Sequence, residues 1–247
     1  MTFRSYVAKF ARGASLPLFK HVPIERWPEL PARLHGIHVP SRVVPGPTKT
    51  AASGVNINTV FHLLEQTLHT EGDVAECGVF RGATLIPIGL FLKQRGISKN
   101  VIGFDSFEGF DESVNIDIRL GGRDIESKRV GGLADTSYQG LAEKIDKFGL
   151  SSTVTLAKGY FHKTLPLFAS RRFCFVHLDC DLYQSYQECM EFVYPRLSPG
   201  GIILFDEYND PPWPGCNKAI DEFLADKPER PIEIALDNFS KWYIKKQ

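Results

Sequence analysis

Four short apolar runs, each carrying or ending at an acid, restrict this chain of 247 residues more than any other feature. Residues 74–79 hold Glu76, 101–104 run into Asp105, 173–178 into Asp179, and 202–205 into Asp206 and Glu207. A short run that is apolar almost throughout, without alternation, is a strand buried on both faces. A fifth strand, 153–157, ends at Lys158-Gly159. Stretches of helical character separate the strands: 83–95, 136–148, 182–197 and 216–225. Strand–helix alternation of this kind implies an α/β fold, a mostly parallel sheet with helices on both faces. The tail 231–246 reads as two strands joined by a tight turn at Asp237-Asn238, which makes the last strand antiparallel. Upstream, Asn58 can cap a helix whose stripe is Val60, Leu63, Leu64, Thr67 and Leu68, and Gly72 ends it. Ser198-Pro199-Gly200-Gly201 reads as a turn. Residues 106–134 read as a long, mobile loop, of the kind that is usually functional or disordered.

The first 50 residues differ from the rest. They contain seven prolines, and eight Lys or Arg against Glu25 and Glu29 alone. Residues 3–10 could form a short amphipathic helix with Phe3, Val7 and Phe10 on one face. We therefore divide the chain into an N-terminal arm, 1–53, and a globular domain, 54–247. The arm would pack on the domain or a second subunit, cover a substrate or, ranked below that, touch a membrane surface through its basic face. Lys plus Arg equals Asp plus Glu at 29 each, so no net field favours nucleic acid. Five cysteines with no Cys-x-x-Cys pair argue against a zinc site or a disulfide framework. No apolar run reaches the ~18 residues of a membrane span. With no signal-peptide pattern either, a cytoplasmic protein is expected.

The chemistry-bearing residues gather at strand ends, where ligands bind in open α/β sheets. The first turn, Glu76-Cys77-Gly78-Val79-Phe80-Arg81-Gly82, lacks the three-glycine dinucleotide fingerprint, and no phosphate-binding Gly-Lys-Ser/Thr follows. A glycine turn beside an acid suits a zwitterionic or cationic ligand better than a diphosphate. Asp105 can accept two ribose hydroxyls. Together these features describe S-adenosylmethionine. Asp179, Asp206 and Glu207 form a second group, hard oxygen donors suited to Mg²⁺. His177 and Asp181 flank Asp179 at two residues on either side. All three are candidate bases, and the residues alone do not choose among them.

The segments E-C-G-V-F-R-G-A-T, D-S-F-E-G-F, K-G-Y-F-H-K-T-L-P, H-L-D-C-D-L-Y-Q-S, Y-P-R-L-S-P-G-G, F-D-E-Y and C-N-K-A-I-D-E-F follow one another over residues 54–247. In that order they resemble the macrocin/mycinamicin-type O-methyltransferases. The resemblance implies the class I methyltransferase (Rossmann-like) fold. It also implies Mg²⁺-dependent methyl transfer from S-adenosylmethionine to a hydroxyl, typically on a sugar of a natural product such as an antibiotic. By motif, Glu76, Gly78, Arg81, Gly82 and Thr84 would hold the methionine part and Asp105 with Ser106 the ribose. Gly159 would join the cofactor site, and Asp179, Asp206 and Glu207 would bind the metal. The family usually shows Asp-Asp where this chain has Asp206-Glu207, and the added methylene moves that carboxylate. A homo-oligomer, a dimer or larger, is also implied, with the basic arm as a subunit contact. Other readings remain open: a metal-independent methyltransferase, or a non-catalytic S-adenosylmethionine-binding protein. An NAD-dependent oxidoreductase suffers from the missing diphosphate fingerprint.

Overall fold

The computed structural model describes residues 57–111, 113–121, 129–235 and 240–247. The arm 1–53, its expected 3–10 helix and the tail turn at Asp237-Asn238 lie outside the described residues.

The chain alternates as its apolar runs require. Helix α1 (Ile57–Glu65) is followed by β1 (Asp73–Cys77), α2 (Leu85–Gln94), β2 (Val101–Asp105), α3 (Val114–Leu120), α4 (Tyr138–Lys147) and β3 (Val154–Lys158). Then come α5 (Phe161–Thr164) with a short 3₁₀ turn, β4 (Phe173–Leu178), α6 (Tyr183–Val193), β5 (Leu197–Phe205), α7 (Pro214–Leu224), β6 (Ile232–Ala235) and β7 (Ser240–Lys245). The strands form one seven-stranded sheet in the order β3-β2-β1-β4-β5-β7-β6. β1 to β5 pair in parallel, whereas β7 runs antiparallel to both β5 and β6. Strand order reverses between β1 and β4, so the turns after these strands flank a cleft at the carboxyl edge.

The alternating sides of each strand feed two apolar layers. Ile202 and Leu204 of β5 join α1, α2 and α4 in one, through Phe61, Leu64, Ile88, Phe91 and Leu141. Ile203 and Phe205 join α6 and α7 in the other, through Tyr186, Met190, Val193, Ala219 and Ile220. Both faces are thus sealed, and the polar strand ends open only at the edge.

Three local expectations change. Helix α1 already includes Ile57, which is buried, so Asn58 sits inside the helix and does not cap it. Ser198 to Gly201 belong to β5, with a register irregularity opposite Phe173 to Phe175, and Gly200 absorbs the distortion at φ 80°. Segment 106–134 is not all loop, since α3 lies within it. The carboxylate of Asp117 is fully buried and accepts the backbone N–H of Tyr183 at 3.1–3.2 Å, at the start of α6. A side-chain carbon on Gly215, at the start of α7, would lie 1.8 Å from the Asp117 carboxylate. One buried carboxylate beside two helix N-termini anchors this short helix.

Candidate active site

The turn after β1 is built as a backbone cradle, but its anion is internal. Gly78, Phe80 and Gly82 all take positive φ, at 88°, 49° and 79°. Gly78 needs this freedom for contact as well, because a side-chain carbon there would come within 1.7 Å of the Asp179 carbonyl oxygen. Successive N–H groups in such a turn form a nest for an anion. Here the backbone N–H groups of Val79 and Phe80 donate to Asp105 Oδ2 at 2.9 and 2.7 Å. Oδ1 of the same carboxylate accepts the N–H of Phe107 at 2.7 Å. Asp105 therefore locks the two strand-end loops together and uses three of the roughly four acceptor positions of a carboxylate. The absence of a diphosphate fingerprint thus has a structural counterpart: the nest is already filled.

The segment before α4 closes over this turn. Thr136 Oγ1 donates to the Phe80 carbonyl at 2.5 Å, and Arg81 pairs with Asp135. Ser106 Oγ donates to the Gly109 carbonyl at 2.9 Å and accepts the Glu108 N–H at 3.1 Å. Thr84 makes no capping bond at the start of α2. Gly159 takes φ 140° just past β3.

A row of charges crosses the sheet beneath the cleft. Glu76 and His177 are register partners on β1 and β4, and His177 Nδ1 lies 3.0 Å from Glu76 Oε1. Across 3.6 Å, His177 Nε2 faces Asp206 Oδ1 just after β5. Lys241 of β7 completes the row, its Nζ donating to Asp206 Oδ1 and to the Asp206 carbonyl, each at 2.7 Å. Burial opposes the charged imidazolium, yet attraction to Asp206 and Glu76 outweighs it and raises the His177 pKa to about 10. Burial lifts Glu76 to about 7 against the pull of His177. Asp206 also pays for burial, but Lys241 and then His177 bring it down to about 2.

Around Asp206 the carboxylates converge. Asp179, Asp206 and Glu207 each offer an oxygen within 4.8 Å of the others. Burial and then the charge of Asp206 raise Asp179 to about 6. Glu207 and Asp181 are pushed well above the usual carboxylate range, by burial and then by Asp179. Tyr186 OH lies 2.5 Å from Glu207 Oε2 and 2.9 Å from the Leu178 carbonyl. One of the two Glu207 oxygens is thereby committed and the other left for the cluster. Glu207 thus reaches the group despite its longer side chain. The acids repel one another, and their donor set is hard oxygen, the kind Mg²⁺ takes. A second triad, Glu76, His177 and Asp179, also comes within 4.8 Å.

All of this borders a cavity of about 480 Å³. Every expected site residue except His177 and Gly82 lines it: Glu76, Gly78, Arg81, Thr84, Asp105, Ser106, Gly159, Asp179, Asp181, Asp206 and Glu207 are wall residues, and Gly82 lies in the turn between two of them. Gly82 itself packs against Leu141, whose methyl a side-chain carbon there would meet at 2.4 Å. His177 is fully buried behind the wall. Glu76 Oε2, by contrast, is buried with no partner in a residue that faces the cavity. At the mouth, Phe110 and Trp213 meet edge to face at 6.3 Å, and Tyr160 stacks on His162. Lys241 and Tyr186 were missed from the sequence. Lys241 carried no local signal, because only the register that pairs Phe205 with Trp242 sets Asp206 against Lys241 at the next antiparallel step. Tyr186 carried no signal beyond an apolar helix face.

Among curated proteins, the 8-demethyl-8-(2,3-dimethoxy-alpha-L-rhamnosyl)-tetracenomycin-C 4'-O-methyltransferase of Streptomyces olivaceus is 33% identical over 139 residues, 56% of this chain and 53% of that protein. Mycinamicin III 3''-O-methyltransferase of Micromonospora griseorubida is 28% identical over 173 residues, 68% of this chain and 66% of that one. The matched segments thus span between half and two thirds of these relatives. The solved structure of the O-methyltransferase NovP superposes with a TM-score of 0.66 at 26% identity, covering 77% of this chain and 79% of that one. The family model described as macrocin O-methyltransferase (TylF) matches residues 56–245, across the whole described sheet and every strand-end acid above. The chain belongs to the macrocin O-methyltransferase (TylF) family.

Proposed function

We propose that this protein transfers a methyl group from S-adenosylmethionine to a hydroxyl of a glycosylated small molecule, with Mg²⁺ held by Asp179, Asp206 and Glu207. One observation carries the reading: a buried, unpartnered carboxylate oxygen on Glu76 and a converging three-acid group border the same cavity. The two curated relatives are named for methylating sugar positions of a tetracenomycin and a mycinamicin, which supports a glycoside acceptor here.

Glu76 Oε2 suits the ammonium of the methionine part, since a buried acceptor without a partner costs about 1–3 kcal/mol until one arrives. Asp105, with three positions filled, keeps one for a ribose hydroxyl and otherwise serves as the frame of the turn. Phe110 and Trp213 offer aromatic surface to a sugar or aglycone face. Mg²⁺, when bound, supplies a Lewis acid that lowers the pKa of an acceptor hydroxyl. The hydroxyl proton passes to a carboxylate oxygen of Asp179 or Asp181, the two candidate bases that line the cavity. The oxygen then forms its bond to the methyl carbon as the carbon–sulfur bond breaks, and S-adenosylhomocysteine leaves. Alignment at near-attack distance, roughly 3–3.5 Å, is the cavity's main contribution. His177, behind the wall between Glu76 and Asp206, acts as a positioning residue and not as the base.

The test is turnover of methyl-labelled S-adenosylmethionine with pooled glycosylated metabolites, with Mg²⁺ and with EDTA. Label should enter the acceptor pool only with the ion present. Asp179→Ala should abolish transfer while leaving S-adenosylhomocysteine binding within a few-fold. Full activity in EDTA would remove the metal from the proposal and leave a metal-independent methyltransferase.

A further inference from the structure

We infer that Tyr186 is a positioning residue that sets the ion preference of the acid group: its hydroxyl, placed behind Glu207, holds that carboxylate still and so favours Mg²⁺ over the larger Ca²⁺. The inference rests on the metal part of the proposal above and adds the residue that tunes it. Tyr186 lies in the first turn of α6, fully buried and apart from the cavity wall, whereas Glu207 is a wall residue. The phenol therefore backs the carboxylate from the core side.

A tyrosine hydroxyl has one proton to give, and two acceptors lie within reach, Glu207 Oε2 at 2.5 Å and the Leu178 carbonyl at 2.9 Å. That carbonyl already accepts the Asp206 N–H at 2.9 Å, which leaves the phenol proton for Glu207. At 2.5 Å the two oxygens stand at the short limit for such a pair, so the carboxylate cannot retreat toward the ring. Nor can the ring give way. It packs on Phe205 with centroids 6.4 Å apart, and the start of its helix is fixed by Asp117 on the Tyr183 N–H. The main chain of Glu207 is held as well, its carbonyl accepting the Asp210 N–H at 2.9 Å and the Cys216 thiol at 3.0 Å.

Discrimination between the two ions depends on cavity size, ligand number and ligand flexibility. Ca²⁺ takes about six to eight oxygens at about 2.3–2.6 Å and tolerates irregular arrangements. Mg²⁺ takes about six at about 2.0–2.1 Å in a stricter octahedron. A glutamate, with three side-chain torsions, ordinarily adapts to either. Here the displacement of about 0.3–0.5 Å that separates the two ions has to break the bond to Tyr186. The longest and most adaptable of the three acids is thereby made the rigid one.

The test is calorimetric titration of the metal-stripped full chain with MgCl₂ and, separately, with CaCl₂. Tyr186→Phe removes one oxygen and keeps the ring. It should weaken Mg²⁺ binding about 10–100-fold, the usual worth of a partner behind a metal ligand, and leave Ca²⁺ within about twofold. The preference for Mg²⁺ then falls at least about fivefold. Glu207→Asp, one methylene short of the phenol, should lose the same preference with Tyr186 intact, and it decides the matter if Tyr186→Phe does not fold. A role confined to packing would weaken both ions alike, and an unchanged ratio of the two affinities overturns the inference. Wild-type protein that binds S-adenosylhomocysteine but neither ion overturns the metal part of the proposal and this inference with it, a failure told apart from the first by the wild-type titrations alone.

Discussion

Asp105 separates two roles that a strand-end acid can play, frame and ligand, and its replacement tells them apart. In Asp105→Asn one carboxylate oxygen becomes an NH₂ group. Turned its better way, the amide oxygen still faces Val79 and Phe80, and the Phe107 N–H then meets a donor instead of an acceptor. One charge-assisted bond is lost, at about 1.5–3 kcal/mol, and two others lose their charge assistance. The total is about 3 kcal/mol. For a domain of this size each kcal/mol shifts the midpoint by about 2–4 °C, so the cofactor-free variant should melt about 6–12 °C lower. Thermal unfolding followed by circular dichroism, without cofactor, gives the answer. Asp105→Ala, which leaves all three N–H groups without their acceptor, should fall further. If Asp105→Asn melts with wild type and loses only S-adenosylhomocysteine affinity, the carboxylate is a ligand group and the filled-nest argument fails.

The charge row and the aromatic mouth make further claims. Lys241→Met leaves Asp206 buried among like charges, which should cost about 3–5 kcal/mol in urea unfolding, part of it recovered by millimolar Mg²⁺; an unchanged midpoint would mean that Lys241 is not holding Asp206. Asp179, Glu76 and His177, at about 6, 7 and 10, all bind their protons more tightly folded than unfolded. Metal-free protein should therefore lose stability as pH rises, through Asp179 and Glu76 between about pH 4 and 7 and through His177 between about 6.5 and 10, whereas Asp206, lowered to about 2, contributes stability that is lost only below about pH 4. Mg²⁺ should flatten the carboxylate part of that slope, because its ligands must be ionised, and denaturant midpoints across pH with and without the ion would show it. Trp213→Ala should raise the acceptor KM by about 3–10-fold with little change in kcat, the worth of one aromatic contact; an equal loss in kcat would assign the indole to alignment of the reacting groups instead.

What the sequence discloses here depends on whether the information is local. Runs such as 101–104 and 202–205 announce buried strands because a strand sealed on both faces must be apolar on both. The acids that follow them line one edge because parallel strands end together. Helix α3 escaped because its stability comes from elsewhere: Asp117 meets the starts of α6 and α7, some 66 and 98 positions away, and a hydrophobic period search sees none of that. The Asn58 cap is likewise displaced, since Ile57 before it is already helical and buried.

The roles within the site depend still more on distance along the chain. From sequence, His177 on an apolar strand is more often a core histidine than a base, and Asp105 reads as a free ribose acceptor. Only the register of β1 against β4 shows that Glu76 and His177 face each other, and only the β2 edge shows Asp105 consumed by the neighbouring turn. Asp206 is the clearest case. His177 and Lys241 approach the same oxygen, Oδ1, from β4 and β7, at 3.6 and 2.7 Å. Those two contacts fix the charge and the orientation of the carboxylate that Asp206 brings to Asp179 and Glu207. The antiparallel last strand, which the tail pattern marked as a fold feature, thus has a chemical role: it delivers the lysine that orients a central carboxylate of the cluster.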